Sequence, residues 1–319
     1  MCLPAESTAM RVLVTGGNGF VGRALVARLR SEGVAVFGTV RGGADEGCVR
    51  LPPLEQVVDW SPWLGGVTTV VHTAGRVHVP GRTADSHKAF HSVNVTASQR
   101  LAEQAAAAGV RRFIFLSSVK VFGEESAPGR AFLASDAVVP CDAYGFSKHE
   151  AERVLAGVAA RTGMEVVVIR PPRVYGPGVK ANFLSLMRCV GRGVPLPFGS
   201  VVSNRRSLVA LDNLVDLILR CLAHPAAANR IFLVSDGEDV STASLLRRLA
   251  EAMGVPSRLF PVPVGALELG AAVLGRRAMM RRLCGNLQVS IDDTCSALGW
   301  RPPIGVDEGL QRAVAGFEA

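Results

Sequence analysis

The sequence predicts an α/β fold, a doubly wound parallel sheet with a smaller C-terminal substrate-binding lobe. Three observations predict it. Short apolar runs ending in glycine or small polar residues alternate with long helical segments over the first half of the chain. A strand, a glycine-rich turn and a helix start follow one another at the N-terminus. After Arg170 the pattern gives way to a proline- and glycine-rich stretch and shorter, irregular elements. The boundaries expected are 10–175 for the dinucleotide-binding domain, with a later return of the chain at about 205–235, and 176–204 plus 236–319 for the lobe.

The elements justify themselves in order. Arg11 to Thr15 (RVLVT) is a short buried strand, entered from a tail, Met1 to Met10, without the apolar core of a signal peptide. GGNGFVG follows, with Gly16, Gly19 and Gly22 spaced three apart, and then the helical RALVARLRSEG. A backbone free of side chains, facing a helix N-terminus, is a cradle for a pyrophosphate, so the sheet is expected to be of the Rossmann type. The spacing G-x-x-G-x-x-G is a variant of the usual fingerprint, and its context of strand before and helix after supports the reading. The next strand, VAVFGTVR, ends in Val40 and Arg41. No carboxylate stands there for a ribose diol, and an arginine suits a 2′-phosphate, which favours NADP(H) over NAD(H). Asp59, after Val57 and Val58, is a candidate acceptor for the adenine amino group. TTVVHTAG ends in Ala74 and Gly75, small enough for a cofactor to lie against backbone.

A helical segment from Ala84 to Ala108 contains Asn94, and the strand RFIFLSS then delivers Ser118. In AYGFSKHEAE, Tyr144 and Lys148 are four apart, on one face of a helix. An adjacent ammonium is expected to favour the phenolate and bring the phenol into use as a proton shuttle. Ser118 could hold the oxygen that Tyr144 protonates or deprotonates. The strand EVVVIR leads into PPRVYGPGVKANF, which cannot continue a regular helix and is placed where a substrate pocket is built. Lys180 and Arg206 are the positive groups expected near a diphosphate, since a guanidinium fork can take two phosphate oxygens at once. Beyond it lie a helix near Asp212 to Ala223, the strand IFLVSD, a helix capped at Ser241 and a last amphipathic helix after Trp300.

Composition excludes several classes. The 319 residues are 49% hydrophobic, enough for a large core. Seven cysteines, widely spread and without a C-x-x-C, point to reduced thiols in a cytoplasmic protein rather than to disulfides or zinc. Six histidines show no metal-ligand spacing; His72 and His78, flanking a strand end, are expected to pack or hydrogen-bond. The net charge of +8 comes without a nucleic-acid-binding motif, and an anionic cofactor and substrate account for part of it. No run reaches the ~20 apolar residues of a spanning helix, so no integral membrane contact is expected. The apolar stretch from Val262 to Gly275, with Arg276, Arg277, Arg281 and Arg282 behind it, is expected to be a lobe helix with a basic exposed end. An interfacial helix is the other reading.

With TGGNGFVG, SSVKVFG, YGFSK and RPPRVYGPG in this order, the chain resembles an extended short-chain dehydrogenase/reductase of the NAD-dependent epimerase/dehydratase family, from Arg11 to about Phe317. More narrowly, it resembles bacterial polysaccharide-locus members that share HTAGRVHV, NRRSLV and LVSDGEDVST. The resemblance implies Ser118, Tyr144 and Lys148 as the catalytic set, with Lys148 also on the nicotinamide ribose. It implies Arg206 at the nucleotide diphosphate and Asn182 at a phosphate or the base. The full cofactor-binding set expected is Gly16, Gly19, Phe20, Val21, Gly22, Arg41, Asp59, Trp60, Ala74, Gly75, Lys148 and Pro171. The substrate set is Ser118, Arg173, Lys180, Asn182 and Arg206, with no metal. Two positions depart from many epimerases of the larger family, Arg173 in place of Asn and Lys120 in place of Thr.

The activity expected is therefore NAD(P)-dependent oxidoreduction at C4 of a UDP-hexose or UDP-N-acetylhexosamine. Reduction of a 4-keto (6-deoxy) sugar for polysaccharide synthesis is favoured on the strength of Arg41. The alternatives are a UDP-sugar 4-epimerase with retained NAD⁺ and a non-catalytic NADP-binding sensor or scaffold. The family implies a homodimer packed through the helices at 84–108 and 144–163.

Overall fold

The computed structural model describes residues 10–42, 47–77 and 84–317. The tail Met1–Ala9 and His78 lie outside the described residues. The chain divides into two compact units, one of 1–117, 146–169 and 221–231, the other of 118–145, 170–220 and 232–319. In this division 118–145 and 205–220 fall in the second unit.

The first unit holds a parallel sheet. Its elements are β1 (Arg11–Thr15), α1 (Phe20–Ser31), β2 (Ala35–Val40), β3 (Cys48–Arg50), α2 (Ser61–Leu64), β4 (Thr69–His72), α3 (Ala84–His91), α4 (Ala97–Ala107), β5 (Arg112–Leu116), α5 (Ala143–Thr162) and β6 (Glu165–Arg170). Among the described residues the sheet has seven strands in the order β3-β2-β1-β4-β5-β6-β9, where β9 is Ile231–Leu233. The order turns back on itself between β1 and β4, which are parallel neighbours with Val12 opposite Thr69. That reversal is the switch point at which open α/β sheets bind ligands, beyond the strands' carboxyl ends.

The strands read as nearly continuous apolar runs because both sheet faces are covered. Leu13, Val70, Phe113 and Phe115 are buried on this sheet with Leu101 of α4 and Leu155 and Val158 of α5 in one core. Arg112, at the start of β5, is fully buried but compensated. Its guanidinium donates to Glu165 (2.7 Å) and to the carbonyls of Cys221 (2.5 Å) and His224 (3.0 Å). The long helical segment expected over 84–108 is present, but α3 and α4 are joined by a π-helical turn, Ser92–Thr96, that holds Asn94. An extra residue in such a turn re-aims the side chains within it, and π-turns recur at functional sites.

The second unit carries β7 (Arg173–Tyr175), α6 (Ala181–Gly191), β8 (Arg206–Ala210), α7 (Leu211–Ala223), β10 (Asp239–Val240), α8 (Thr242–Ala252), α9 (Val264–Val273), α10 (Arg277–Cys284), α11 (Asp292–Leu298) and α12 (Val306–Ala315). Its small sheet runs β10-β8-β7, parallel between β7 and β8 and antiparallel between β8 and β10. Val119, Val121, Phe122, Leu287 and Val289 form a core of their own there. No helix among the described residues is long and apolar enough to cross a membrane.

Candidate active site

The glycine turn folds as its spacing demands. Gly16 sits at φ +75° and its carbonyl accepts the Gly19 N–H at 2.8 Å, closing the loop onto the start of α1. A Cβ on Gly22 would collide with the Gly16 carbonyl and lie 2.9 Å from Thr73 Oγ1, so the helix can approach the strand ends only without a side chain there. Beside this turn lies a groove of about 620 Å³, lined among others by Gly16, Gly19, Arg41, Glu55, Ala74 and Gly75. Backbone N–H groups at a helix start, a cradle that a methyl group would fill and a groove of this volume fit a dinucleotide. When bound, a nicotinamide dinucleotide supplies a hydride acceptor or donor, and these residues are the ones that would hold its pyrophosphate and adenosine half.

Behind the groove, the first unit builds a buried polar network around Lys148. The ammonium, 4% exposed, donates to the Leu116 carbonyl at 2.8 Å and stands 4.5 Å above the Phe115 ring. Burial pushes its pKa down to about 8, and the Glu152 carboxylate opposes that shift. Glu152, one helical turn on, accepts from Ser117 Oγ at 2.5 Å. Asn94 pins the loop after β4 to α5. Its Oδ1 accepts the Arg76 N–H at 2.8 Å, and its Nδ2 donates to Arg76 O (3.0 Å) and Ser147 Oγ (2.9 Å). Gly75 leaves the room this requires, since a Cβ on it would lie 3.2 Å from Asn94 Oδ1 and 3.4 Å from Lys148 Nζ. His72 is fully buried between Thr15 Oγ1 (2.6 Å) and Ser98 Oγ (2.8 Å). Burial, and then the Lys148 charge, push its pKa down to about 3, so it is neutral. The packing and hydrogen-bonding role expected for it is the one seen.

Ser118 and Tyr144 belong to the second unit and are hydrogen-bonded to each other. Ser118 caps a short 3₁₀ turn, accepting the Lys120 N–H at 3.2 Å. Asp142 fixes the start of α5 by accepting the Gly145 N–H at 2.7 Å. The helix is continuous from Ala143 to Thr162, so Tyr144 and Lys148 stand one turn apart along it. The pKa of Tyr144 departs from the expectation. It lies well above the usual phenol value, because burial and the Asp142 carboxylate outweigh the Ser118 hydrogen bond that lowers it. The phenol is thus a proton donor at neutral pH.

The second unit also gathers cations. Lys120 is held by Asp142 (2.5 Å) and Glu124 (3.2 Å), and Glu124 also takes Arg282 at 3.3 Å. Arg206 donates to the Gly285 carbonyl at 2.9 Å. Its pKa is brought down to about 10 by burial and then by the neighbouring Arg173. Arg173 is lowered in turn by burial and by Arg282. Three guanidinium groups that repel one another where water is scarce make a strong receptor for a polyanion.

The expected residues do not all converge. Trp60 is wholly buried in the sheet's core, its backbone N–H bonded to Gln104 Oε1 at 2.6 Å. Asp59 is exposed and accepts the Ser61 N–H at 2.9 Å, and neither Asp59 nor Trp60 lines the groove. Phe20 and Val21 are half-buried in the first turn of α1. Pro171 is buried, its carbonyl accepting from Val119 N at 3.0 Å. Lys180 and Asn182 are exposed at the start of α6. Sequence reasoning missed Asn94, Glu152 and Arg282 as site residues. The π-turn has no sequence mark, and Arg282 lies 76 positions beyond Arg206 within a stretch that resembles basic surface. A Glu one turn after Lys148 was visible, and its burial was not.

The fold and these residues define a nicotinamide-dependent enzyme of the extended short-chain dehydrogenase/reductase type. The family model described as NAD dependent epimerase/dehydratase matches residues 12–235, and the chain belongs to that family. It is 44% identical to the UDP-glucose 4-epimerase of Vibrio cholerae, over 99% of this chain and 98% of that one. It is similar in structure to MoeE5 in complex with UDP-glucose and NAD, at 26% identity and a TM-score of 0.75, covering 96% and 98% of the two chains. RMD from Pseudomonas aeruginosa, complexed with NADPH, shares the fold at 23% identity and a TM-score of 0.72, with the same coverage. The chain thus has an NAD(P)-binding fold, and its similar structures include both NAD and NADPH complexes.

Proposed function

We propose that this enzyme works at C4 of a UDP-linked hexose or N-acetylhexosamine as a 4-epimerase. The observation that carries the reading is the hydroxyl pair Ser118–Tyr144 in the same unit as the Arg173–Arg206–Arg282 cluster. A diphosphate neutralises mutually repelling guanidinium groups, and a hydroxyl pair handles the proton of a secondary alcohol. Lengthwise similarity to an enzyme named a UDP-glucose 4-epimerase supports the choice of reaction. It outweighs the reductase favoured by the sequence, which rested on Arg41 alone.

Each residue has a definite task. Tyr144 gives its proton to the C4 oxygen as ketone becomes alcohol and takes one back in the other direction, where the Lys148 charge favours the phenolate, and Ser118 hydrogen-bonds that oxygen throughout. Lys148 supplies the positive charge that makes the proton's departure less costly, and Glu152 keeps that lysine protonated against the pull of burial. Arg206 and Arg173 grip the diphosphate, so that the sugar turns about a fixed anchor and presents its other face. A nicotinamide dinucleotide held in the groove would supply the acceptor for the C4 hydride and give it back on the opposite face, while the hydroxyl proton leaves and returns through Tyr144, so that C4 inverts and no net reductant is consumed.

One observation favours a second reading. Arg41 lines the groove at the end of β2, where no carboxylate stands for the ribose diol, and this suits NADP(H) and reduction of a 4-keto sugar. A single experiment separates the two. The desalted protein is denatured and its released nicotinamide identified, and the native protein is incubated with UDP-glucose, UDP-galactose and their N-acetylamino counterparts without added cofactor. Interconversion of C4 epimers with near-stoichiometric NAD⁺ supports the epimerase. An empty protein that consumes NADPH only with a 4-keto sugar nucleotide establishes the reductase. No turnover in either assay refutes both.

A further inference from the structure

Helix α9 is built against the usual rule for a surface helix. A ten-residue helix in a water-soluble lobe presents an apolar stripe to the core and polar residues outward. This one, VGALELGAAV, is apolar nearly all round, yet only Ala271 is buried. Leu269 is 69% exposed, Val273 81% and Leu274, just past its end, 72%. On α10, which packs beside it, Met279 is 45% exposed while Met280 turns inward at 7%. Contiguous exposed apolar surface of this kind marks a place of contact.

The chemistry beside it selects the partner. Arg276, Arg277 and Arg281 are exposed around the same hairpin, and among the described residues none of them pairs with a carboxylate. Arg282, the neighbour that does, faces Glu124 instead. Glu268 is the one acidic residue in α9 and α10, against four arginines in or flanking them. An apolar helix rimmed by guanidinium groups matches a bilayer with anionic headgroups: the leucines and valine enter the acyl boundary while the arginines stay at headgroup level. A second copy fits less well, because a two-fold contact would bring two arginine clusters of a chain with net charge +8 together. A nucleic acid would satisfy the arginines and leave the exposed leucines and valine unused.

We propose that the α9–α10 hairpin docks this enzyme peripherally on an anionic membrane surface. The segment lies in, not across, the interface, as ten helical residues span only about 15 Å. Since α10 also carries Arg282, docking sets the guanidinium cluster close to the headgroup layer.

The test is co-sedimentation of the full chain with vesicles of phosphatidylcholine alone and of phosphatidylcholine with phosphatidylglycerol, at low and high salt. Binding is expected to the mixed vesicles, weakening with salt. The pair R276A/R277A is expected to lose about thirtyfold in affinity, roughly fivefold per arginine. The pair L269S/V273S is expected to lose binding while retaining turnover of the soluble substrate and an unchanged circular dichroism spectrum, which shows that the fold survives. Equal binding to both vesicle types, or binding that neither pair weakens, overturns the proposal. So does absence of binding, or self-association in solution that L269S/V273S abolishes, which would make a second copy the occupant.

Discussion

Substituting Gly22 by alanine asks whether the glycine turn is a cofactor cradle or only a tight connection. In the structure the added Cβ would overlap the Gly16 carbonyl, standing 2.8 Å from the Gly16 carbonyl carbon and 2.9 Å from Thr73 Oγ1. Ordinary contact requires the carbonyl to retreat by roughly 1 Å. That retreat strains the Gly16–Gly19 hydrogen bond, now 2.8 Å, and Gly16 is itself confined, with the Ala74 backbone 3.0 Å from where its own Cβ would be. Overpacking costs about 1–3 kcal/mol and the weakened hydrogen bond about 1, while alanine in place of glycine in the first turn of α1 returns up to about 1. The net destabilisation expected is about 1–4 kcal/mol, read from the midpoint of urea unfolding at constant slope. Affinity for the dinucleotide, followed by nicotinamide fluorescence or calorimetry, is expected to fall at least tenfold, because the displaced carbonyl moves the N–H groups that face the pyrophosphate. A variant within about 0.5 kcal/mol of the parent that binds NAD(H) and NADP(H) equally well would refute the cradle.

Further outcomes test the site and its surroundings. Tyr144→Phe is expected to lower turnover by about 10²–10⁴-fold while leaving cofactor affinity nearly unchanged, as measured by steady-state kinetics beside a binding titration. Arg206→Gln is expected to raise the KM for a UDP-sugar more than it lowers kcat, since a diphosphate anchor acts on the ground state and transition state alike. His72 bears on pH stability. Its folded pKa of about 3 lies below the unfolded value of 6.5, so the unfolded chain binds the extra proton between those limits. Its contribution is complete above pH 6.5 and is lost as pH falls towards 3. A His72 imidazole resonance that titrates near pH 6.5 in the folded protein would contradict this. Replacing Arg41 by alanine is expected to reduce the ratio of NADPH to NADH affinity, and an unchanged ratio would remove Arg41 from any role at a 2′-phosphate.

How the site is assembled explains where sequence reasoning stopped. Gly16, Gly19 and Gly22 are legible because a phosphate cradle is local: strand, turn and helix start lie within 12 consecutive residues. Tyr144 and Lys148 are legible for the same reason, through the period of one helix. The expectation for Tyr144 failed in direction because its pKa is set by burial and by Asp142, and burial is a property of the packed chain. Trp60 follows an apolar run as a groove residue would, yet its large side chain is worth more to the core than to a ligand.

From the sequence alone came the α/β class and the strands of the parallel sheet, written in apolar periodicity, the family, written in its motifs, and Ser118, Tyr144 and Lys148 as candidates for the chemistry. Tertiary structure alone decided that Asn94 is presented by a π-turn, that Glu152 is buried against Ser117 near Lys148, and that Arg282 joins Arg173 and Arg206. It also decided that α9 keeps Leu269 and Val273 in water. The reason is physical: local spacing sets backbone conformation, whereas charge, pKa and exposure depend on which distant segments exclude water from a group, and that is determined only when the chain has packed.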